Sequence, residues 1–190
     1  EPPFRRPDSC LKSSDDGHLY DAHQRVMSVA SVQRQLAASR KGDVQLSPYL
    51  TGLCDSIGAS MIRNRSKLPL TVTMEDGGAQ VSADAAMSIG LIVTELVINA
   101  LKHAFPGQRR GHIDVAYRAD GPNWLLSVSD DGVGFPKDPG SAPAGLGTSI
   151  VQALAQQLRA DVRVVGTSPG TRVEIKHVAE PTSGPAAKGV

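Results

Sequence analysis

The feature that most constrains this chain is a run from Ser82 to Phe105 that is apolar nearly all round yet carries an acid, an amide and a histidine. Ser82 can open it as an N-cap, and Pro106-Gly107 stops it, so one helix is predicted over 82–105. From Ala85 to Ala100 the residues are apolar on most sides, and such a helix has to be buried on most sides. Glu95, Asn99 and His103 lie four residues apart and share one face, with Lys102 beside them. Glu95 and Asn99 cost free energy in that apolar run unless they find partners. Two readings are open. The pair could bond a neighbouring backbone, or its face could line a polar cavity. In the second reading Asn99 offers an oxygen ligand to Mg²⁺, while Lys102 and His103 offer positive charge to phosphate.

The elements around this helix can be placed from punctuation and periodicity. Residues 1–17, with three prolines and the run Ser13-Ser14-Asp15-Asp16-Gly17, read as a linker. Residues 18–40 read as a helix, because Leu19, Ala22, Val26, Val29 and Leu36 form a seam. Residues 43–46 are a short connection, and Ser47-Pro48 start a second helix whose buried face is Leu50, Leu53, Cys54, Ile57 and Met61. Two helices so joined are expected to pack as an antiparallel hairpin.

Leu68 to Met74 reads as a strand, followed by a turn at Asp76-Gly77-Gly78. Ile113–Tyr117 and Leu125–Val128 form one predicted hairpin. Val162–Val165 and Thr171–Lys176 form another, turned at Ser168-Pro169-Gly170. Between the hairpins lie a Gly- and Pro-rich loop over 132–147 and a helix over 149–158. This order predicts an α+β fold, a two-layer sandwich of helices on a mixed, mainly antiparallel sheet. The expected organisation is a linker (1–17), a helical hairpin (18–63), a compact domain (64–178) and a flexible tail (179–190).

Composition narrows the function classes. Hydrophobic residues make up 40% of the 190 but aromatics only 4%, so the core must be aliphatic. The net charge is +1 with no basic stripe, which argues against nucleic acid. Arg109-Arg110 reads as a solvated pair in a turn. Cys10 and Cys54 lack metal-ligand spacing and fit a reducing, cytoplasmic setting. No signal peptide is visible, and no apolar run is judged to approach the roughly 18 residues of a membrane span. Membrane contact by this chain is therefore not expected, although it could be the cytoplasmic part of a larger sensor.

Three further motifs sit at element junctions. Asp130-Asp131-Gly132-Val133-Gly134 ends a strand, where a carboxylate can accept from an amino group and glycines let a flat ring approach the backbone. Gly145-Leu146-Gly147 precedes a helix, where exposed N–H groups can cradle phosphate. Gly170-Thr171 enters the last strand with a hydroxyl that can join the ring site. Each alone is an ordinary turn or cap; their order and placement make the joint reading specific for ATP and Mg²⁺.

Glu95-Leu-Val-Ile-Asn99-Ala-Leu-Lys-His103-Ala-Phe-Pro106 resembles the N box of sensor histidine kinases. Asp130–Gly134 and Gly145–Gly147 resemble their two glycine boxes, and Gly170-Thr171 the late Gly-Thr element of the wider gyrase, heat-shock chaperone, histidine kinase and MutL superfamily. The resemblance covers roughly 20–178 and is nearest the subgroup with a HisKA_2-type dimerisation segment. It implies a Bergerat-type ATP fold, a homodimer formed through the helical segment, and a response-regulator receiver domain as partner. It also implies roles. Asp130 bonds the adenine amino group, Gly132 and Gly134 shape the base pocket, and Thr171 supports the base. Asn99 ligates Mg²⁺, and Glu95 polarises the attacking group. Lys102 and His103 approach the phosphates, while Gly145, Leu146 and Gly147 belong to the phosphate-holding hinge of a lid over 135–144.

The acceptor histidine departs from the pattern. The nearest match, Gln24-Arg25-Val26-Met27-Ser28, puts glutamine in its place, and His23 lies one position early, about 100° round a helix. Three readings stay open: Gln24 replaces the acceptor, His23 is a displaced acceptor, or the acceptor lies outside this chain. The alignment of 47–63 as the second hairpin helix favours Gln24. Rival functions are a nucleotide-holding adaptor that docks a receiver without autophosphorylation, and a serine kinase of the anti-sigma-factor type.

Overall fold

The computed structural model describes residues 43–62, 64–75, 78–134, 146–167 and 169–179. The expectations for the linker, for residues 18–40 with His23 and Gln24, for the lid with Gly145, and for residues 180–190 of the tail fall outside these.

The centre is a five-stranded sheet in the order β2-β4-β5-β7-β6. Its strands are β2 (Leu70–Glu75), β4 (Ile113–Asp120), β5 (Asn123–Asp130), β6 (Ala160–Gly166) and β7 (Thr171–His177). The β2–β4 pair is parallel and the other three pairs are antiparallel, so the sheet is mixed and mainly antiparallel, as the element order predicts. Strand β4 alternates: Ile113, Val115 and Tyr117 are buried, while Asp114 and Ala116 on the other face are not. Three helices pack together and against the sheet: α1 (Leu46–Met61), α2 (Ala83–His103) and α3 (Leu146–Gln157).

Helix α2 lies at the heart of the core. The Ser82 hydroxyl accepts from the Ala85 N–H, which caps it as expected. Ile89, Ile92, Val93 and Val97 are fully buried, each contributing on the order of 1.5–3 kcal/mol. At 21 residues, with an 18-residue stretch of mean hydropathy 1.6, α2 is long and apolar enough to span a bilayer, which corrects the expectation that no such run exists. Its apolar sides are occupied by α1, α3 and the sheet.

Helix α1 has the buried face the periodicity predicts, packed into the core. Leu46, Leu50, Leu53, Cys54 and Ile57 belong to the same hydrophobic cluster as α2 and the sheet. This face is buried against β2 and α2, and the expected hairpin with residues 18–40 lies outside the described residues. The connection before the helix differs from the one predicted. Val44–Gln45 is a short strand, β1, paired antiparallel with β3 (Gln80–Val81), and the Leu46 N–H donates to the Ala79 carbonyl. Val44 is buried, so pairing at this point spares its backbone from desolvation. The helix therefore starts at Leu46, with Ser47 and Pro48 inside its first turn.

The approach of α1 to α2 is close. A Cβ on Gly90 would lie 2.0 Å from the Tyr49 hydroxyl, so this helical glycine gives Tyr49 its seat. Burial pushes the Tyr49 hydroxyl above its ordinary pKa, and neither Tyr49 Oη nor Thr94 Oγ1 has a hydrogen-bond partner among the described residues. Burial, with the charge of Asp55, pushes the Cys54 thiol up to about 12, consistent with its reading as an unreactive core residue.

Candidate functional site

The C-terminal end of α2 and the C-terminal end of β5 meet, and the contacts there are made by backbone. Strand β5 pairs with β7 so that Asp130 faces Thr171, and with β4 so that Asp130 faces Ile113. Beyond Asp130 the chain leaves the sheet and crosses the end of α2. A Cβ on Gly132 would lie 2.3 Å from the Ala104 carbonyl oxygen, so only glycine allows this crossing. The Val133 N–H donates to that same carbonyl at 3.0 Å. Ala104 directly follows His103, the last residue of α2.

Gly170 approaches from the other side with φ +103. A Cβ there would lie 1.9 Å from the Asp130 carbonyl oxygen. Gly134, with φ +73, lies against the Gly170 carbonyl in turn. Asp130, Gly132, Gly134, Gly170 and Thr171 thus converge at one place, which the sequence motifs require but cannot demonstrate.

The Asp130 side chain is shaped by this packing. Its Oδ1 accepts from the Gly132 N–H at 2.9 Å. Burial pushes its carboxyl above the ordinary carboxylate value. The Gly132 and Thr171 backbone donors pull it back, the Asp131 charge adds to the rise, and the net direction is upward. A half-buried carboxylate retains acceptor capacity beyond these two backbone donors and is suited to accept from an amino group of a ligand.

Along α2, Glu95 is buried, Asn99 and Lys102 are half-buried and His103 is exposed. Glu95 and Lys102 both have interaction partners within the protein. Asn99 stands five residues before Ala104, about 7.5 Å along the helix axis from the Gly132 crossing. Among the described residues no group of three or more His, Cys, Asp or Glu could hold a metal. Leu146 and Gly147 begin α3, which packs on α2. The sequence predicts this helix from Ser149; Leu146 and Gly147 of the second glycine motif already belong to it, while Gly145 lies outside the described residues.

One segment at the site was missed. Asp131 Oδ1 accepts from the His112 N–H at 2.6 Å, and the Asp131 N–H donates to the His112 carbonyl at 3.3 Å. Gly111 lies against the Phe105 ring and Asp131 Oδ1. The second aspartate of an Asp-Asp-Gly run reads as turn chemistry, and only the fold brings it to His112.

Residues 84–181 match the family model described as histidine kinase-, DNA gyrase B-, and HSP90-like ATPase. Blue-light-activated histidine kinase 2 of Erythrobacter litoralis is 32% identical over 134 residues, 70% of this chain and 38% of that protein. Sensor histidine kinase PdtaS of Mycobacterium tuberculosis is 29% identical over 140 residues, 72% of this chain and 27% of that protein. The chain therefore spans well under half the length of these curated relatives. Among solved structures, the histidine kinase domain of the Erythrobacter litoralis EL346 blue-light activated histidine kinase superposes with a TM-score of 0.66 at 28% identity, covering 81% of this chain and 72% of that one. The match over 84–181 holds both α2 with its polar face and the glycine crossings at its end; on that ground the chain belongs to the family of histidine kinase-, DNA gyrase B- and HSP90-like ATPases.

Proposed function

We propose that residues 43–179 form the ATP- and Mg²⁺-binding catalytic domain of a two-component sensor histidine kinase of the HisKA_2 type. The observation that carries this reading is the chain of glycine contacts at the end of the helix that bears Asn99: Gly170 on Asp130, Gly134 on Gly170 and Gly132 on Ala104. Adenine would lie on that backbone surface, its amino group donating to Asp130 and its edge supported by Thr171. The triphosphate would then run along the last turns of α2, past His103 and Lys102, toward Asn99 and the first turn of α3. With no acidic cluster among the described residues, a Mg²⁺ ion at Asn99 would take its remaining ligands from phosphate and water. Its chemistry there is to neutralise charge on the transferring γ-phosphoryl group. Glu95, close below Asn99 on the same helix face, would polarise the attacking group.

The packing of α1 bears on the acceptor. Reading Gln24 as the acceptor position requires residues 47–63 to be the second helix of a dimerisation hairpin. Because α1 is built into the core with α2, residues 18–40 stand in sequence where that second helix belongs. We infer that the acceptor histidine is neither Gln24's position nor His23, and that phosphate goes to a histidine outside residues 1–190. Relay from there to a response-regulator receiver, and a homodimer through the helical segment, complete the reading.

The test is calorimetric titration with ATP and Mg²⁺, followed by incubation with γ-labelled ATP. The original chain, Gln24→His, His23→Ala and Asn99→Ala are compared. Micromolar to millimolar ATP binding is expected, and Mg²⁺-dependent phosphoryl transfer to a supplied acceptor-bearing segment is expected to fall roughly a hundredfold or more in Asn99→Ala. No acid-labile label is expected on Gln24→His unless a longer acceptor-bearing segment is supplied. Label on Gln24→His alone would restore the original alignment, and label lost in His23→Ala would make His23 the acceptor. Absence of nucleotide binding would defeat the proposal outright.

A further inference from the structure

Asp131 lies beside the proposed base pocket yet takes no part in the roles assigned above. It sits where β5 leaves the sheet for the Gly132 crossing, one residue beyond the last β4–β5 pair, Ile113 with Asp130. Its side chain and its backbone both bond His112, from Oδ1 at 2.6 Å and from N–H at 3.3 Å. Its partner segment is held from the far side: the Gly111 N–H donates to the Lys67 carbonyl and the Ile113 N–H to the Pro69 carbonyl. The same segment is backed by Phe105, whose ring lies against Gly111 two residues past the end of α2. Asp131 therefore ties the start of the glycine crossing to an anchored strand lead-in, while Gly132 and Val133 tie its next residues to Ala104.

Resting on the nucleotide reading above, we propose that Asp131 is a positioning residue that sets the preference of this site for adenine. It does so by holding Asp130 and Gly132 in register with the end of α2. The acceptor at Asp131 Oδ1 fixes the backbone from which the Asp130 carboxylate projects, and a carboxylate displaced by a fraction of an ångström no longer selects a 6-amino group over a 6-oxo group. A charge-assisted bond of this length suits that purpose.

The discriminating measurement is the ratio of ATP to ITP affinity, with the thermal midpoint of each variant recorded alongside. ITP replaces the amino group that Asp130 would accept from with an oxygen. In the original chain ATP is expected to bind more tightly. Asp131→Ala is expected to lower the ATP/ITP ratio about tenfold, the scale for losing a placed hydrogen bond. Asp131→Asn keeps an oxygen acceptor and is expected to retain the ratio within about twofold. Asp131→Glu keeps the charge but displaces the acceptor and is expected to lose the ratio, which serves if the alanine variant fails to fold. An equal weakening of both nucleotides in Asp131→Ala and Asp131→Glu, with the ratio unchanged, would reduce Asp131 to a stability residue and overturn the inference. So would an asparagine variant that behaves like alanine. If the original chain binds neither nucleotide, the nucleotide reading fails and takes this inference with it, an outcome distinct from an unchanged ratio.

Discussion

The two ends of the five-stranded sheet are held together by different means. At the site end, main chain meets main chain: Gly170 against Asp130, Gly134 against Gly170, and Gly132 against Ala104. At the opposite end, side chains meet. Tyr117, Trp124 and His177 stack across β4, β5 and β7 with ring centroids 6.0 and 5.5 Å apart. At Gly170 and Gly132 the first kind of packing tolerates no added atom, because backbone cannot yield without moving an element. The second is graded, because a ring can shrink and its neighbours partly relax. The proposed nucleotide site lies at the stiff end, where a ligand ring could lie directly on peptide groups.

The comparison is broken or sharpened most strongly at Gly170. Alanine there meets the Asp130 carbonyl and must hold φ +103, so a loss of about 3 kcal/mol or more is expected in urea unfolding, together with ATP binding. A variant as stable as its parent would show that the site end is softer than described. Trp124→Ala should cost about 2 kcal/mol, since the ring is half-buried and stacked on both faces, yet leave ATP affinity within about twofold. If ATP affinity falls in step, the two ends are coupled through the strands. Gly121→Ala is a milder probe. It has φ +57 in the β4–β5 turn but open space around it, so strain alone acts, at about 1 kcal/mol.

Asp130→Asn gives the smallest stability effect and an opposite sign. The Asp130 carboxyl is held above its ordinary value in the folded protein, so folding favours its protonated form. That contribution is complete below the unfolded carboxylate value, near pH 4, and is lost as pH rises through the raised folded value. At neutral pH the charged side chain is a small burden on the ligand-free fold. Asparagine keeps the oxygen that accepts from Gly132 and is expected to leave the free protein equally or slightly more stable at pH 7, the difference vanishing toward pH 4. ATP affinity should fall about tenfold, measured by titration. A variant that is both less stable and unimpaired in binding would reverse the assignment.

These contrasts also mark what a reader of the sequence alone can reach. Helix α2 was legible because its cap, its all-round apolar run and its Pro-Gly stop are local signals. The strand pairs of both hairpins were legible for the same reason. The face of α1 could be read from spacing but its partner could not, since periodicity says that a face is buried and not against what. The β1–β3 pair escaped because two residues on each side carry no pattern of their own. Asp130, Gly132 and Gly134 were recognised by motif. The contacts that make them a site join residues up to 40 apart, as Asp130 and Gly170 are, and no local rule reports them. Asp131 was passed over because an acidic doublet before glycine looks like any turn.

The short clasp between β1 and β3 carries a consequence for traffic. It fixes the doorway of the domain, at Asp43 and Val44, beside the first turn of α2. Asn99 stands sixteen residues further along that helix, about 24 Å from the doorway. A stiff segment leading straight out from Asp43 would carry any residue it bears away from its own nucleotide and toward the reach of a neighbour. One that doubles back along α2 would bring the same residue home. In the proposed dimer, the heading taken at that doorway would decide whether a molecule serves itself or its companion.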